Sequence, residues 1–238
     1  MLSLIIPCFN EEGAIEDIVK RCDAVLQDED EIIVVNDGST DGTSEILNNM
    51  NIERLRVVNH KKNTGNGASI MNGVSNARGE WIATIDADGT YYPEEIPKLY
   101  QLALSGDADI VTGLRKSLMQ GPFLHSRARN FLRWLTELAA NQKIADVNSG
   151  LKIVRKEVIE RYRKYIPKRF SPHIVLTICA GRDGCIIQYV PIQYGPRIGF
   201  SKLSSGIHGP ANFIKFILLI FWTWIRKPKK VIKQDYSA

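Results

Sequence analysis

Two aspartates one residue apart, Asp86 and Asp88 in the run EWIATIDADGTYYPEEI, stand where an apolar stretch stops. Carboxylates so spaced suit a hard divalent cation, and a strand running straight into such a pair is a common way to hold that cation over a nucleotide diphosphate. Trp81, Ile82, Ala83, Thr84 and Ile85 read as a buried strand, which puts the acids at its carboxyl end, the edge where open α/β sheets bind ligands. An isolated D-x-D is more simply explained as a strand end and a turn, with Asp88-Gly89 starting the turn. The neighbouring motifs decide between the two readings.

Each of the first three strand ends carries polar residues of a nucleotide-binding kind. Asn10-Glu11-Glu12 follows the apolar run Leu2 to Ile6, Asn36-Asp37-Gly38-Ser39-Thr40-Asp41-Gly42 follows Glu31 to Val35, and Asn59 to Gly67 follows Leu55 to Val58. Asp, Ser, Thr and Gly are also the ordinary residues of turns and helix caps, so NDGSTDG alone separates neither reading. Together the three ends line one edge of a sheet. Two phosphate-binding patterns are missing: Gly65-Asn66-Gly67 has Ile70 where GxGxxG needs a glycine, and no GK[ST] occurs. A dinucleotide dehydrogenase and a P-loop enzyme are therefore poorly supported.

The elements that must hold these ends alternate. Ile15, Ile18, Val19, Cys22, Val25 and Leu26 fall at helical spacing, further helices are expected at Thr43 to Leu47, Gly67 to Ala77 and after Pro93, and further strands at Trp81 to Ile85 and Ala108 to Thr112. Such alternation predicts a largely parallel sheet with helices on both faces. The second half is less regular, with helices at Arg127 to Ala140, after Lys156 and at His173 to Ala180, and short strands at Leu151 to Val154 and Ile186 to Val190 that should extend the same sheet. A chain of 238 residues, 44% of them hydrophobic, suffices for one substantial α/β domain, expected over residues 1–205 and followed by a tail, 206–238. Cys8, Cys22, Cys179 and Cys185 form no CxxC pair and no histidine stands at metal-ligand spacing, which argues against a zinc site or disulfide framework and for reduced, cytosol-facing thiols. Leu2 to Ile6 lacks a basic leader and runs into Pro7 and acidic residues, so it reads as a first strand rather than a signal peptide.

The ordered set SLIIPCFNEE, IIVVNDGSTDGT, NTGNGASIMNG, DADGTYYPEEI, DVNSGLKIV and Arg197-Ile198-Gly199-Phe200-Ser201-Lys202 resembles the family 2 glycosyltransferases over residues 2–205, and most of all their polyprenyl-phosphate members, of the dolichyl-phosphate mannosyltransferase kind. The resemblance implies an α/β GT-A fold (Rossmann-like, a mostly parallel central sheet flanked by helices), a nucleotide-sugar donor, and Mg²⁺ or Mn²⁺ as cofactor. It implies that Pro7, Asn10, Glu12 and Asp37 contact the nucleoside and that Gly67 allows close backbone approach. Asp86, Ala87 and Asp88 would meet the donor, the two acids holding metal and diphosphate. Arg115, Arg127 and Arg129 match family cations near the acceptor phosphate, where a guanidinium can grip two oxygens at once, although solvated arginines on a helix face are the more usual explanation. Asp146 in DVNSG matches an aspartate near the anomeric carbon, where it could accept a proton or stabilise positive charge on the ring, although a loop aspartate capping a turn looks the same. Arg197, Ser201 and Lys202 lie on a glycine-containing loop suited to closing over phosphates. Asp146, Asp88, Arg197 and Lys202 form the implied catalytic set, with Ser201 joining the acceptor phosphate. Asn36 replaces the usual first aspartate of DDGS, Gly89-Thr90 replaces a common Leu-Gln and Leu151 replaces the Phe of SGF, departures that leave the donor sugar open.

From Phe213 to Ile225 the run FIKFILLIFWTWI is interrupted only by Lys215 and Thr223. As a helix it would be roughly 20 Å long, short of a roughly 30 Å hydrocarbon layer. Phe221, Trp222 and Trp224 ahead of Arg226, Lys227, Lys229, Lys230 and Lys233 predict an apolar, amphipathic helix at the interface of an anionic membrane, with a core helix or a homodimer contact as alternatives. A tilted span from Ile207 would meet Pro210 and Asn212. The expected activity is inverting, metal-dependent transfer of a sugar from a nucleotide sugar to a polyprenyl phosphate, by a peripheral or monotopic protein at the cytosolic face of a membrane. The alternatives are transfer to a saccharide or other non-lipid hydroxyl, and a nucleotide-sugar-binding protein without turnover. Nucleic acid is not an expected partner, and a membrane-protein partner or a second copy of the chain is left open.

Overall fold

The structure, a computed structural model, describes residues 1–115, 123–198 and 209–226. Alternate side chains of its strands face opposite ways and so divide the core in two. Leu2, Leu4 and Ile6 of β1 (Leu2–Cys8) and Ile32 and Val34 of β2 (Glu31–Asn36) face one helical layer, while Ile5, Ile33 and Val35 face the other. The first layer is α1 (Ile15–Val25), α2 (Thr43–Asn49) and α4 (Ile96–Leu104), contributing Ile18, Leu47 and Leu99 among others. The second is α3 (Asn66–Asn76), α6 (Lys156–Arg161) and α7 (Pro172–Arg182), with Ile70, Ile159 and Val175 buried against the sheet. All six residues of β2 are buried, which explains why a strand covered on both faces reads as an unbroken β-branched run.

The sheet has seven strands in the order β3-β2-β1-β4-β6-β5-β7, where β3 is Leu55–Asn59, β4 Trp81–Thr84, β5 Ile110–Arg115, β6 Lys152–Arg155 and β7 Ile187–Ile192. From β1 the chain winds outward through β2 and β3, then returns to place β4 on the other side of β1. Successive strands there leave in opposite directions and open a crevice at the carboxyl ends of β1 and β4. The expected parallel arrangement holds for β1 to β4 and for β5 with β7, but β6 runs antiparallel to both its neighbours. An antiparallel strand begins where its neighbours end, so residues 146–150, just before β6, arrive beside the ends of β4 and β5. The expected strand at Trp81 to Ile85 stops at Thr84, because Ile85 and the acids already turn into the loop.

A third apolar cluster joins α5 (Phe123–Ala140), α7 and α8 (Gly209–Ile225) through Ala139, Ile174, Ile178 and Ile220. Pro210 does not block α8; it occupies the first turn, where the missing N–H has no intrahelical partner anyway. No helix among the described residues is long and apolar enough to cross a membrane. The four cysteines are buried and unpaired.

One buried carboxylate ties β1, β2 and the approach to β4 together. Glu31 accepts hydrogen bonds from the Ser3 hydroxyl at 2.7 Å and from the Arg78 backbone and guanidinium at 2.6 and 3.2 Å. Burial alone would raise its pKa, but these bonds and the charge of Arg56 outweigh it and hold the carboxyl below its ordinary 4.5. A carboxyl depressed by folding adds stability above its unfolded value, and that stability is lost as the pH falls through the folded value. Glu31→Gln is expected to cost roughly 1–3 kcal/mol in urea unfolding at pH 7, with the gap to wild type closing as the pH falls below about 4.5.

Candidate active site

Asp86 and Asp88 meet in the crevice beyond β4, and their mutual repulsion shows in their surroundings. Burial first, and then the charge of Asp88, push the Asp86 carboxyl up to about 6, while Arg115 and Arg197 pull it back. Asp88 divides its two oxygens. Oδ1 accepts from the Thr90 backbone and hydroxyl at 3.1 and 2.6 Å, so a turn does form here, with Gly89 in the left-handed region at φ 76°. Oδ2 accepts from the Arg197 guanidinium at 3.0 Å, which also pairs with Glu11. Burial raises the Glu11 carboxyl to about 7 despite that partner, helped by the charges of Asp88 and Asp86. The segment carrying Arg197 is bonded to the acid loop through Ile198 N to Asp88 O at 2.9 Å and Gly195 N to Thr90 O at 2.9 Å. A Cβ on Gly89 would lie 2.8 Å from Ile198 Cδ1, so this glycine has a local reason, its backbone and its neighbour, besides any bearing on the sugar.

Two hard carboxylates at a strand end suit Mg²⁺ or Mn²⁺, because a cation beside them would offset the burial and the repulsion that together raise Asp86. Among the described residues no group of three His, Cys, Asp or Glu side chains is arranged to enclose a metal. The donor set therefore fits an ion whose remaining ligands are diphosphate oxygens and water, not a closed protein cage.

The loops expected to meet the nucleoside are brought together, but several of their side chains are committed to one another. Asn10, with φ 56°, accepts from Thr40 N at 2.8 Å and donates its own N–H to the Ser39 hydroxyl at 3.0 Å. Glu12 accepts from Gly42 N at 2.7 Å. Asp37 accepts from Thr64 N at 2.8 Å, the Thr64 hydroxyl at 2.7 Å and Gly65 N at 2.7 Å, and lies 2.7 Å from His60 Nδ1. Burial opposes its ionisation, yet the bonds from His60, Thr64 and Gly65 hold the carboxyl below its usual range. Asn10, Glu12 and Asp37 thus shape the loops at the crevice; Pro7 is half-buried near the end of β1. A Cβ on Gly67 would overlap the Pro167 carbonyl, so within the chain the close backbone approach it permits is that of residues 167–168.

Asp146, on the segment before β6, grips Arg115 at the end of β5. Arg115 donates to its two oxygens at 2.8 and 2.7 Å. Burial would raise the Asp146 carboxyl, but Arg115 and the nearby Lys152 outweigh it and hold it below the ordinary range. Lys152 is itself buried, its ammonium lowered to about 8 by desolvation, and donates to the Thr112 hydroxyl at 3.0 Å. A carboxylate serving as counter-ion to buried cations is a weaker proton acceptor than a free one. Arg115 also stacks over the Tyr194 ring at 5.4 Å, and Tyr194 packs edge-on against Tyr91 at 5.0 Å.

Arg115 and Asp146 open into a cavity of about 460 Å³ that Arg129 and Arg133 of α5 also line. Its apolar walls include Leu114, Leu132, Ile174 and Phe216, and Asn148 Oδ1 is buried at its edge with no hydrogen-bond partner among the described residues. Arg115 and Arg129 thus line one cavity, whereas Arg127 is exposed and outside that lining. Ser201 and Lys202 lie outside the described residues, as do Lys227, Lys229, Lys230 and Lys233. Sequence reasoning gave Glu11 no role beyond its motif and did not reach Arg133, Tyr91 and Tyr194. Arg133 was detectable, since it falls four residues after Arg129 on one helix face; the tyrosines meet only through tertiary contact.

Residues 3–163 match the family described as Glycosyl transferase family 2. Over 226 residues, 92% of this chain and 53% of the relative, the sequence is 32% identical to the low-salt glycan biosynthesis hexosyltransferase Agl6 of Haloferax volcanii. It is 32% identical over 170 residues to the dodecaprenyl-phosphate galacturonate synthase of Rhizobium johnstonii, covering 68% of this chain and 50% of that protein. The undecaprenyl-phosphate 4-deoxy-4-formamido-L-arabinose transferase of Aeromonas hydrophila is 30% identical over 167 residues, covering 67% of this chain and 50% of that protein. The chain spans about half the length of these curated relatives. Among solved structures, the glucosyl-3-phosphoglycerate synthase of Mycobacterium tuberculosis, in complex with Mn²⁺, uridine diphosphate and phosphoglyceric acid, has the same fold, with a TM-score of 0.73 over 94% of this chain and 78% of that one at 19% identity.

Gly150 decides whether Asp86 can occupy its place. A Cβ there would lie 2.4 Å from Asp86 Oδ2, while Gly150 itself is held by its N–H to the Tyr91 hydroxyl and by its carbonyl to Thr84, both at 2.7 Å. Gly150→Ala must therefore turn the Asp86 carboxylate aside. The expected outcome in urea unfolding at pH 7 is a loss of roughly 1–3 kcal/mol, the usual cost of forcing extra volume into a packed site, with the circular dichroism spectrum unchanged.

Proposed function

The chain belongs to glycosyl transferase family 2 and has its α/β GT-A fold, and from that premise we propose that it moves a sugar from a nucleotide-sugar donor to a polyprenyl phosphate, with inversion, at the cytosolic face of a membrane. The observation that carries the acceptor class is the Asp146–Arg115 pair. A hydroxyl acceptor needs a base, and the carboxylate that would serve is held ionised by Arg115 and below its ordinary range. A phosphate acceptor is already an anion at neutral pH and needs cations instead, which Arg115, Arg129 and Arg133 supply. The apolar walls of the same cavity suit the first carbons of an isoprenoid better than a sugar.

In this reading a phosphate oxygen of the acceptor attacks the anomeric carbon as the bond to the nucleoside diphosphate breaks on the opposite face. Asp146 keeps the Arg115 guanidinium turned toward the acceptor phosphate, with the Tyr194 ring against its face. Arg197, poised at Asp88 and Glu11, can meet the charge that grows on the departing diphosphate. Asp86 and Asp88 would hold a divalent cation, which when bound neutralises that same charge. Ser201 and Lys202 remain proposed phosphate contacts on the family resemblance alone.

A panel of nucleotide sugars, each offered with a short polyprenyl phosphate and Mg²⁺ or Mn²⁺, tests the proposal. Asp88→Ala is expected to lower turnover roughly 10²-fold or more, since it removes one of the two carboxylates that would hold the cation and the partner that positions Arg197. Asp146→Asn keeps a hydrogen-bond acceptor for Arg115 and is expected to slow turnover only about tenfold to 10²-fold, the range for a group that orients another. Transfer to a saccharide hydroxyl that Asp146→Asn abolishes, with no transfer to polyprenyl phosphate, would replace this reading with the hydroxyl-acceptor one.

A further inference from the structure

The inner sides of α5 and α8 are packed through Ala139, Leu132 and Leu135 against Ile220 and Phe216. Their outer sides are apolar as well. On α5, Phe131, Trp134 and Leu138 are three and four residues apart and form one exposed stripe, with Trp134 55% exposed. On α8, Ile214, Leu218, Phe221 and Ile225 repeat the spacing, with Leu218 60% exposed. Phe131 joins the two helices, its ring 5.9 Å from Trp134 and 6.3 Å from Phe213. Scattered apolar residues on a surface need no explanation, but a contiguous face drawn from two helices marks an interaction site.

Charge narrows the partner. The two helices carry a single carboxylate, Glu137, whose Oε1 accepts from Ile144 N at 3.2 Å. Their cations include Arg129, Arg133 and the exposed Lys215, and Arg226 beyond α8 lies 4.2 Å over the ring of Trp222. Lys227, Lys229, Lys230 and Lys233 follow in sequence. A two-fold contact between copies would set this cationic surface against itself with only Glu137 to answer it. Anionic headgroups above an apolar layer answer both halves of the pattern.

We infer that α5 and α8 together form the docking surface for an anionic lipid bilayer, so that the aromatic stripe of α5, and not the C-terminal segment alone, seats the protein. The surface stands on exposure and charge. Its bearing on catalysis rests on the lipid-acceptor reading, because Arg129, Arg133 and Phe216 of the same helices line the cavity and docking would bring that cavity to headgroup level.

The test is cosedimentation with vesicles of phosphatidylcholine alone or mixed with phosphatidylglycerol, for the whole chain and for Trp134→Glu, Trp134→Phe, Leu218→Glu and Leu104→Glu. Leu104 is an exposed leucine at the end of α4 and controls for the change in charge. Wild type, Trp134→Phe and Leu104→Glu should bind the anionic vesicles, and Trp134→Glu and Leu218→Glu should each lose roughly tenfold or more in partitioning. Circular dichroism checks that each variant is folded. Folded Trp134→Glu that binds as well as wild type would overturn the inference, as would a wild type that ignores anionic vesicles and instead forms a dimer in solution that Trp134→Glu dissociates. Turnover of a short, soluble polyprenyl phosphate without vesicles is a separate measurement: its absence, with vesicle binding intact, would remove the acceptor reading and leave the docking surface standing.

Discussion

Asp86 and Asp88 repel each other in a crevice that water only partly reaches, and much of the site is arranged around that repulsion. Desolvation and the second carboxylate make the charged form of Asp86 costly, so its ordinary ionisation is delayed to about pH 6. Positive charge answers it from two sides. Arg197 reaches Asp88 and Glu11 from the segment after β7, and Arg115 is near enough from β5 to favour the ionised Asp86. Arg115 is in turn balanced by Asp146, and Lys152 lies close to both. The crevice is therefore a chain of alternating charges into which anionic phosphates and a hard cation can fit without burying an unpaired charge.

That chain of charges depends on one reversal in the sheet. Because β6 runs against β4 and β5, the segment ending in Gly150 begins at their carboxyl edge. Asp146 thereby reaches Arg115 across 31 residues of sequence, and Gly150 presses on Asp86 from 64 residues away. The Tyr91 hydroxyl accepts from Gly150 N and the Tyr91 ring packs on Tyr194, so the acid loop, the segment before β6 and the segment carrying Arg197 are held as one body. A change in any of these segments is felt at both the acids and the arginine cavity, which gives the two regions a common frame.

Much of the first half was legible in the sequence for a simple reason. Buried parallel strands must be apolar on both faces and the helices between them on one, and β1 to β4 with α1 to α3 obey that pattern within a residue or two. The strand ends fell where the polar motifs begin, which made Asp86, Asp88 and Asn36 to Gly42 readable as one edge. In the second half the elements were legible but the direction of their strands was not. A four-residue strand such as β6 has the same composition whichever way it runs, and the direction is set by the partners it pairs with. The same limit applied to Gly67 and Gly150: sequence marks a glycine, but only packing says whether ligand or protein backbone fills the space it leaves.

By itself the sequence determined the α/β class, the strand that delivers the acid pair, the family, and the apolar character of the C-terminal helix, since each is carried by local periodicity or by an ordered set of motifs. The tertiary structure alone decided that Asp146 neutralises Arg115 rather than standing free as a base, that Arg133 joins Arg115 and Arg129 at one cavity, and that α5 adds its aromatic stripe to that of α8. The physical reason is the same in each case. Partners far apart in the chain set the charge state and exposure of a side chain, and no local pattern records which partner it will meet.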